Sequence, residues 1–289
     1  MKHIALTGFL IISATYLSET LQAEDCPALT ASQKAKLIDE HLNGLKPSDD
    51  EIIVHRGHVF AFDYQNNVPR WTAWHVKPSY TDTPKREKHW YKMAQDKSLP
   101  KANRVTSSDY TGSGYHRGHL APYFTSGGDR DNDGMDAEFE NLDTFPIEDI
   151  DDACTVFEIN YMSNMAPQLP ELNSQNGSWY QLETLNRIAA REHGKEFHII
   201  SGPIFTSSKP KTICRKKNTD GSCKSREIAV PNAFFKVVDD GVTSKGYVFY
   251  QHQKTSDYGC LPKQNPEECI VPISVIEDLT TLTLKQSNR

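Results

Sequence analysis

The densest chemistry in the chain lies in Gly114-Tyr115-His116-Arg117-Gly118-His119-Leu120-Ala121-Pro122. Two imidazoles and a guanidinium surround one glycine. Histidine's ordinary pKa lets it take up a proton near neutral pH. Arginine presents a planar fork of donors that matches phosphate oxygens. Gly118 permits a tight turn or a close approach of backbone to ligand. A base beside a phosphate clamp is what hydrolysis of a phosphodiester needs. The tetrapeptide alone is weak evidence, because the chain carries it twice. His55-Arg56-Gly57-His58 lies between Ile52-Ile53-Val54 and Val59-Phe60-Ala61-Phe62. That β-branched and aromatic context reads as strand, in which His55 and His58 point to opposite faces. The earlier copy is expected to be structural and the later one chemical.

Such groups need elements to hold them. Residues 31–44 carry Leu37 and Leu42 among good helix formers and stop at Gly44, which predicts a short helix. Residues 52–76 read as a two-stranded hairpin turning at Gln65-Asn66-Asn67. Residues 77–112 are polar and irregular. Alternation over 154–161 predicts a strand. Over 179–193, Trp179, Leu182, Leu185 and Ile188 recur at helical spacing, and Gly194 is placed to end the helix. Residues 197–204, 228–230, 233–238 and 246–250 read as strands. Strands, a central helix and more strands imply an α+β fold rather than a βαβ repeat. No linker-like segment divides the chain after residue 23, so 24–289 is expected to be one domain.

Residues 1–23 look like a secretory signal. Lys2 supplies a charged start, residues 4–17 are mostly apolar, and Leu21-Gln22-Ala23 ends on a small residue. The apolar run is too short and too interrupted to span a membrane. The expectation is export to a periplasm or the exterior. All six cysteines follow that segment, an even set that argues for disulfides. Six allow fifteen connectivities, with Cys214–Cys223 and Cys260–Cys269 closing local loops and Cys26 left for Cys154. Zinc would call for close CxxC pairs, and there are none. The net charge is −6. Many nucleic-acid binders are basic overall, so phosphate capture here would rely on a local basic patch.

Several ordered motifs together resemble the DNA/RNA non-specific endonucleases, a family of ββα-metal (His-Me finger) nucleases. They begin with Gly112 to Pro122, continue through Asn160-Tyr161-Met162-Ser163-Asn164-Met165-Ala166-Pro167-Gln168, and reach Trp179-Tyr180-Gln181-Leu182-Glu183. Gly202-Pro203-Ile204-Phe205, Val230-Pro231, Phe234-Phe235-Lys236-Val237-Val238 and Ile276-Glu277-Asp278-Leu279-Thr280 follow. The resemblance implies a central, mostly antiparallel sheet flanked by helices. It implies an endonuclease that cuts DNA and RNA with little sequence preference and leaves 5′ phosphates. By resemblance His119 is the general base, and Asn173 is the one direct protein ligand of a Mg²⁺ ion for which Mn²⁺ can substitute. Glu183 holds water on that ion, Arg117 and Arg86 steady the phosphate, and Asn164 supports the site. Magnesium suits such a site because it prefers oxygen donors and keeps much of its water.

This chain departs from the family pattern twice. His116 stands where the family has Asp, which makes the local charge more positive. Asn173-Ser174-Gln175-Asn176-Gly177-Ser178 is longer than usual. Counting from Gln168 selects Asn173 as ligand, whereas counting back from Trp179 selects Asn176. Trp179, His75 and His198 read as packing residues, and the Asn176-Gly177-Ser178 sequon as a chance match. Separately, Asp129, Asp131, Asp133, Gly134 and Glu140 fit the D-x-[DN]-x-[DN]-G-x₅-E calcium loop. A Ca²⁺ loop without both flanking helices and a solvated acidic loop are the two readings of that stretch. The corresponding alternative function is an inactive, calcium-dependent extracellular binding protein on a nuclease scaffold.

Overall fold

A computed structural model describes residues 26–130, 134, 136, 137 and 151–285. The expected signal at 1–23 and three of the calcium-loop positions, Asp131, Asp133 and Glu140, lie outside the described residues. The first helix, α1 (Ala31–Leu42), starts at a capping box in which Thr30 and Gln33 satisfy each other's backbone N–H groups. Three strands follow: β1 (Ile53–His55), β2 (His58–Asp63) and β3 (Val68–Val76). The expected two-strand hairpin therefore has three strands. Arg56 and Gly57 form a turn of their own, and His55 sits directly across from His58. Side chains opposed across a ladder share a face, so the opposite-face expectation fails and the two rings lie 5.2 Å apart.

Short 3₁₀ turns occupy much of the stretch up to β4 (His116–His119). Next comes α2 (Asp151–Ile159), a helix where alternation predicted a strand. Its apolar residues Ala153, Val156, Phe157 and Ile159 are all buried on one core, so packing at helical spacing prevails over a short period-two pattern. β5 (Met165–Gln168) and α3 (Ser178–His193) complete the middle of the chain. Gly194 ends α3 in the left-handed conformation at φ 65°, as expected. The remaining elements are β6 (Phe197–Ile204), β7 (Thr212–Ile213), β8 (Ile228–Ala229), β9 (Ala233–Asp239), β10 (Ser244–Tyr250), β11 (Ile270–Val271) and α4 (Ile273–Thr280).

The main sheet has seven strands in the order β1-β2-β3-β6-β9-β10-β11, with every pairing antiparallel. Alternation divides its side chains between two cores. Trp71, Ala73, Phe235 and Val237 join α1 and α4 on one face. Trp74, Val76, Phe234 and Val238 join α2 and α3 on the other. Disulfides link Cys26–Cys154, Cys214–Cys223 and Cys260–Cys269, so the local loops close as expected and the first tethers the chain start to α2. β4 and β5 form a separate antiparallel ribbon on the α2–α3 side, and α3 follows it in sequence.

Candidate active site

The β4–β5 ribbon presents its residues to a cleft of about 490 Å³ that also reaches the start of α3. His116, Arg117, His119, Arg86, Asn173 and Glu183 all line it. Arg86 and Glu183, 97 residues apart in sequence, are thus brought together by one ribbon, two loops and one helix. Gly118 is extended rather than turned, since its φ is not positive. A Cβ there would collide with the buried Gln168 side chain of the paired strand, so close approach is the reason for glycine.

His119 is 8 % exposed at the cleft floor. Its Nε2 lies 3.2 Å from Asn160 Oδ1. Asn160 Nδ2 donates to the carbonyls of Trp90 and Val156, at 3.0 and 3.1 Å. That use of the amide leaves Oδ1 as the acceptor, so His119 donates from Nε2 and keeps the lone pair on Nδ1. Burial lowers the His119 pKa to about 3, helped by the positive charges of Arg86 and Arg117 and opposed by the Asn160 hydrogen bond. The imidazole is therefore neutral and able to accept a proton across the physiological range.

Two guanidiniums face this base. Arg117 donates to Ser107 Oγ. Arg86 is held between the rings of Tyr91 and Tyr123, 5.2 and 5.5 Å from their centroids, and its buried Nε has no partner among the described residues. An arginine committed to aromatic faces but not to a carboxylate keeps donor capacity for an anion.

Glu183 projects from α3, and Lys236 Nζ donates to its Oε1 at 2.8 Å. Lys236 stands on the same face of β9 as Phe234 and Val238, which alternation directs at α3. Its ammonium also sits 3.7 Å over the Trp179 ring. Burial raises the Glu183 pKa and lowers that of Lys236, and in each case the partner's charge opposes the shift.

The loop between β5 and α3 places the two asparagines differently with respect to the cleft. Leu172 and Asn173 both donate backbone N–H to Leu169 O, and Gly177 N donates to Ser174 O. The additional residues bulge outward: Ser174, Gln175 and Asn176 are exposed, whereas Asn173 faces the cleft. The Asn173 side-chain amide has no hydrogen-bond partner among the described residues. Asn176 instead contributes its backbone carbonyl to Gln181 Nε2.

Asn164 does not line the cleft. It is fully buried, and its amide donates to Ala121 O and Ile159 O while accepting from Ala121 N. It staples the segment after His119 to the end of α2. Of the calcium loop, the described part shows Asp129 Oδ2 accepting from Gly134 N at 3.0 Å. Among the described residues no group of three or more His, Cys, Asp or Glu is arranged to hold a metal.

Three residues gain roles that the sequence reading did not assign: Asn160, Ser107 and Lys236. Lys236 left a signal, a lysine inside Phe234-Phe235-Lys236-Val237-Val238, because a lysine in a buried strand must find a partner. Asn160 stands at the head of a family motif, but its role depends on a helix that alternation concealed.

An imidazole on the first strand, an amide in the following loop and a carboxylate on the helix, all on a strand–strand–helix unit, define a ββα-metal nuclease fold. The model of the DNA/RNA non-specific endonuclease family matches residues 41–146 and 151–288, and the chain belongs to that family. It is 31 % identical over 163 residues to a nuclease of Nostoc sp., a match covering 56 % of this chain and 49 % of that protein. It is 30 % identical over 185 residues to human mitochondrial endonuclease G, covering 63 % of this chain and 52 % of the relative. The chain spans about half the length of these relatives. The crystal structure of an EndoG/EndoGI complex superposes with a TM-score of 0.59 at 22 % identity, over 86 % of this chain and 90 % of that one. At that identity the likeness speaks for the fold.

Proposed function

We propose that the protein is an exported, Mg²⁺-dependent endonuclease that hydrolyses DNA and RNA with little sequence preference. The observation that carries this reading is His119, hydrogen-bonded through Nε2 to Asn160 and lining the same cleft as Asn173, Glu183 and two arginines. His119 Nδ1 takes the proton of a water attacking phosphorus. Arg86 and Arg117 hold the phosphate by its oxygens, and Glu183, steadied by Lys236, accepts hydrogen bonds from ordered water. Asn173 fits the cation, because its free amide oxygen and the nearby carboxylate are hard donors and the rest of the shell is left to water and phosphate. The cation, when bound, supplies stabilisation of charge on the phosphate and the departing 3′ oxygen. Contacts to phosphate rather than base edges account for low sequence preference, and 5′-phosphate products follow the family pattern. Three disulfides and the apolar leader support export.

The test is digestion of plasmid DNA and bulk RNA by purified protein with Mg²⁺ or Mn²⁺, beside His119→Ala. Loss of both substrates, 5′-phosphate ends, no cutting in chelator and a severely impaired variant are expected. Failure of the wild type to cut with any divalent ion overturns the enzyme reading and leaves the calcium-binding scaffold.

A further inference from the structure

The cleft opens onto a basic arm that the catalytic reading does not use. Residues 206–227 carry seven lysines and arginines against two acids, in a chain whose net charge is −6. Lys209, Lys211, Arg215, Lys216, Lys217 and Lys224 are exposed, and none has an ion-pair partner among the described residues. One of the two acids, Asp220, is occupied at the tip, accepting from the N–H and hydroxyl of Ser222.

The arm is built rather than loose. β7 and β8 form its base, paired Thr212↔Ala229 and Ile213↔Ile228, with Ile213 and Ile228 buried in the core. Beyond them Cys214–Cys223 closes a small hairpin, in which Lys224 N donates to Lys216 O and Asn218 N to Ser222 O. Arg226 ties the arm back to the body through the carbonyls of Lys101 and Ala102. Its base meets the cleft directly: Lys211 Nζ lies 3.4 Å from the hydroxyl of Tyr115, a cleft-lining residue that also meets His252 Nε2 at 3.3 Å.

We infer that this disulfide-closed arm is an accessory phosphate-binding surface, which grips the nucleic-acid backbone beyond the scissile phosphate and favours long substrates over short ones. The inference rests on the nuclease reading. A strand leaving the cleft passes Tyr115, meets Lys211 and continues toward Arg215, Lys216 and Lys217. Cations on a braced hairpin lose less freedom on binding than those on a flexible tail. Their contribution is electrostatic and releases counterions, so it weakens as salt rises.

The test compares wild type with Arg215→Gln/Lys216→Gln/Lys217→Gln, after circular dichroism shows both folded. Anisotropy of a labelled long duplex in chelator reads binding without cleavage. The magnitude of the slope of log affinity against log salt should fall by about three, roughly 0.9 per phosphate contact. In cleavage with Mg²⁺, the ratio of kcat/KM for the long duplex to that for an oligonucleotide just filling the cleft should drop about tenfold. Cys214→Ser/Cys223→Ser, which keeps every charge, should shift both readouts in the same direction by less. An unchanged slope and ratio overturn the inference. So does capture of anionic phospholipid vesicles in place of the duplex, lost in the same triple variant. If the wild type cuts neither substrate, the nuclease reading falls, and the anisotropy still decides whether the arm binds nucleic acid.

Discussion

The two copies of His-Arg-Gly-His are identical in sequence and opposite in surroundings. In the first, Arg56 is buried, paired with Glu158 and hydrogen-bonded to Pro27 O. His55 is bound to Asp96 at 2.8 Å, and His58 is fully buried with no partner for either ring nitrogen among the described residues. In the second, Arg117 reaches only a serine hydroxyl among the described residues, His116 is exposed, and His119 is held on one nitrogen and left a lone pair on the other. The same helix end decides both outcomes. Glu158 of α2 neutralises the first arginine, and Asn160, one residue beyond α2, orients the second base. A carboxylate quenches the first cation, whereas a neutral amide leaves the second site positive enough for phosphate. Chemistry therefore follows the partner, not the tetrapeptide.

The largest predicted effect separates the copies. His119→Ala should lower kcat by about 10²–10⁴-fold, the usual contribution of a positioned general base. His58→Leu should leave neutral-pH activity within about threefold, because His58 does not line the cleft. Steady-state rates on plasmid DNA check both, and comparable losses in the two variants would break the contrast. The next effect concerns the loop asparagines. Asn173→Ala should raise the Mg²⁺ concentration for half-maximal activity by about tenfold or more, while Asn176→Ala stays near wild type; ligand-sphere changes have effects of this size. A magnesium titration that moves equally in both would return the ligand assignment to open choice.

Asn160→Asp sharpens the comparison by giving the second copy the kind of partner that the first one has. A carboxylate beside His119 favours the imidazolium and raises its pKa from about 3. The base must be neutral to act, so the acid limb of log(kcat/KM) should move up toward neutrality while the alkaline side stays near wild type. A pH profile with an unmoved acid limb would mean that Asn160 does not set the state of His119.

How much of this was legible depends on where the information resides. The strands β6, β9 and β10, the helix α3 and the cleft residues His119, Arg117 and Glu183 were readable, because local pattern and motif agree there. The helix α2 was not. Residues 154–161 alternate by type, and only the core on one side makes Val156, Phe157 and Ile159 a helical stripe. With α2 misread, the roles of Glu158 and Asn160 were out of reach, and the shared face of His55 and His58 was hidden by the unread turn at Arg56-Gly57. Gly118 was legible as a required glycine but not for its reason, since Gln168 opposes it only once β4 and β5 pair. Asn173 was distinguishable from Asn176 only in space, where the loop turns one amide inward and the other outward.

The smallest predicted effect is on acid stability, and the first copy contributes to it through His58. Burial lowers the pKa of His58 well below its usual value, and lowers those of His41 and His119 to about 3. Each of these groups binds its proton more readily in the unfolded chain. Their contribution is therefore complete above the unfolded pKa near 6.5 and is lost as pH falls toward the folded values. His55 runs the other way: burial lowers its pKa, but Asp96 leaves it raised overall, so its contribution is present below 6.5 and is lost as pH rises through the folded value. Losses outnumber gains on acidification, and stability should fall from pH 6.5 toward 4. His58→Leu removes one such proton and an unpartnered imidazole. Denaturant melts should show a gain of about 1 kcal/mol at pH 7, and a pH slope shallower by up to about 1.4 kcal/mol per unit below 6. A variant less stable than wild type at pH 5 would show that His58 is hydrogen-bonded in solution, and the first copy would then be a polar site rather than a dry one.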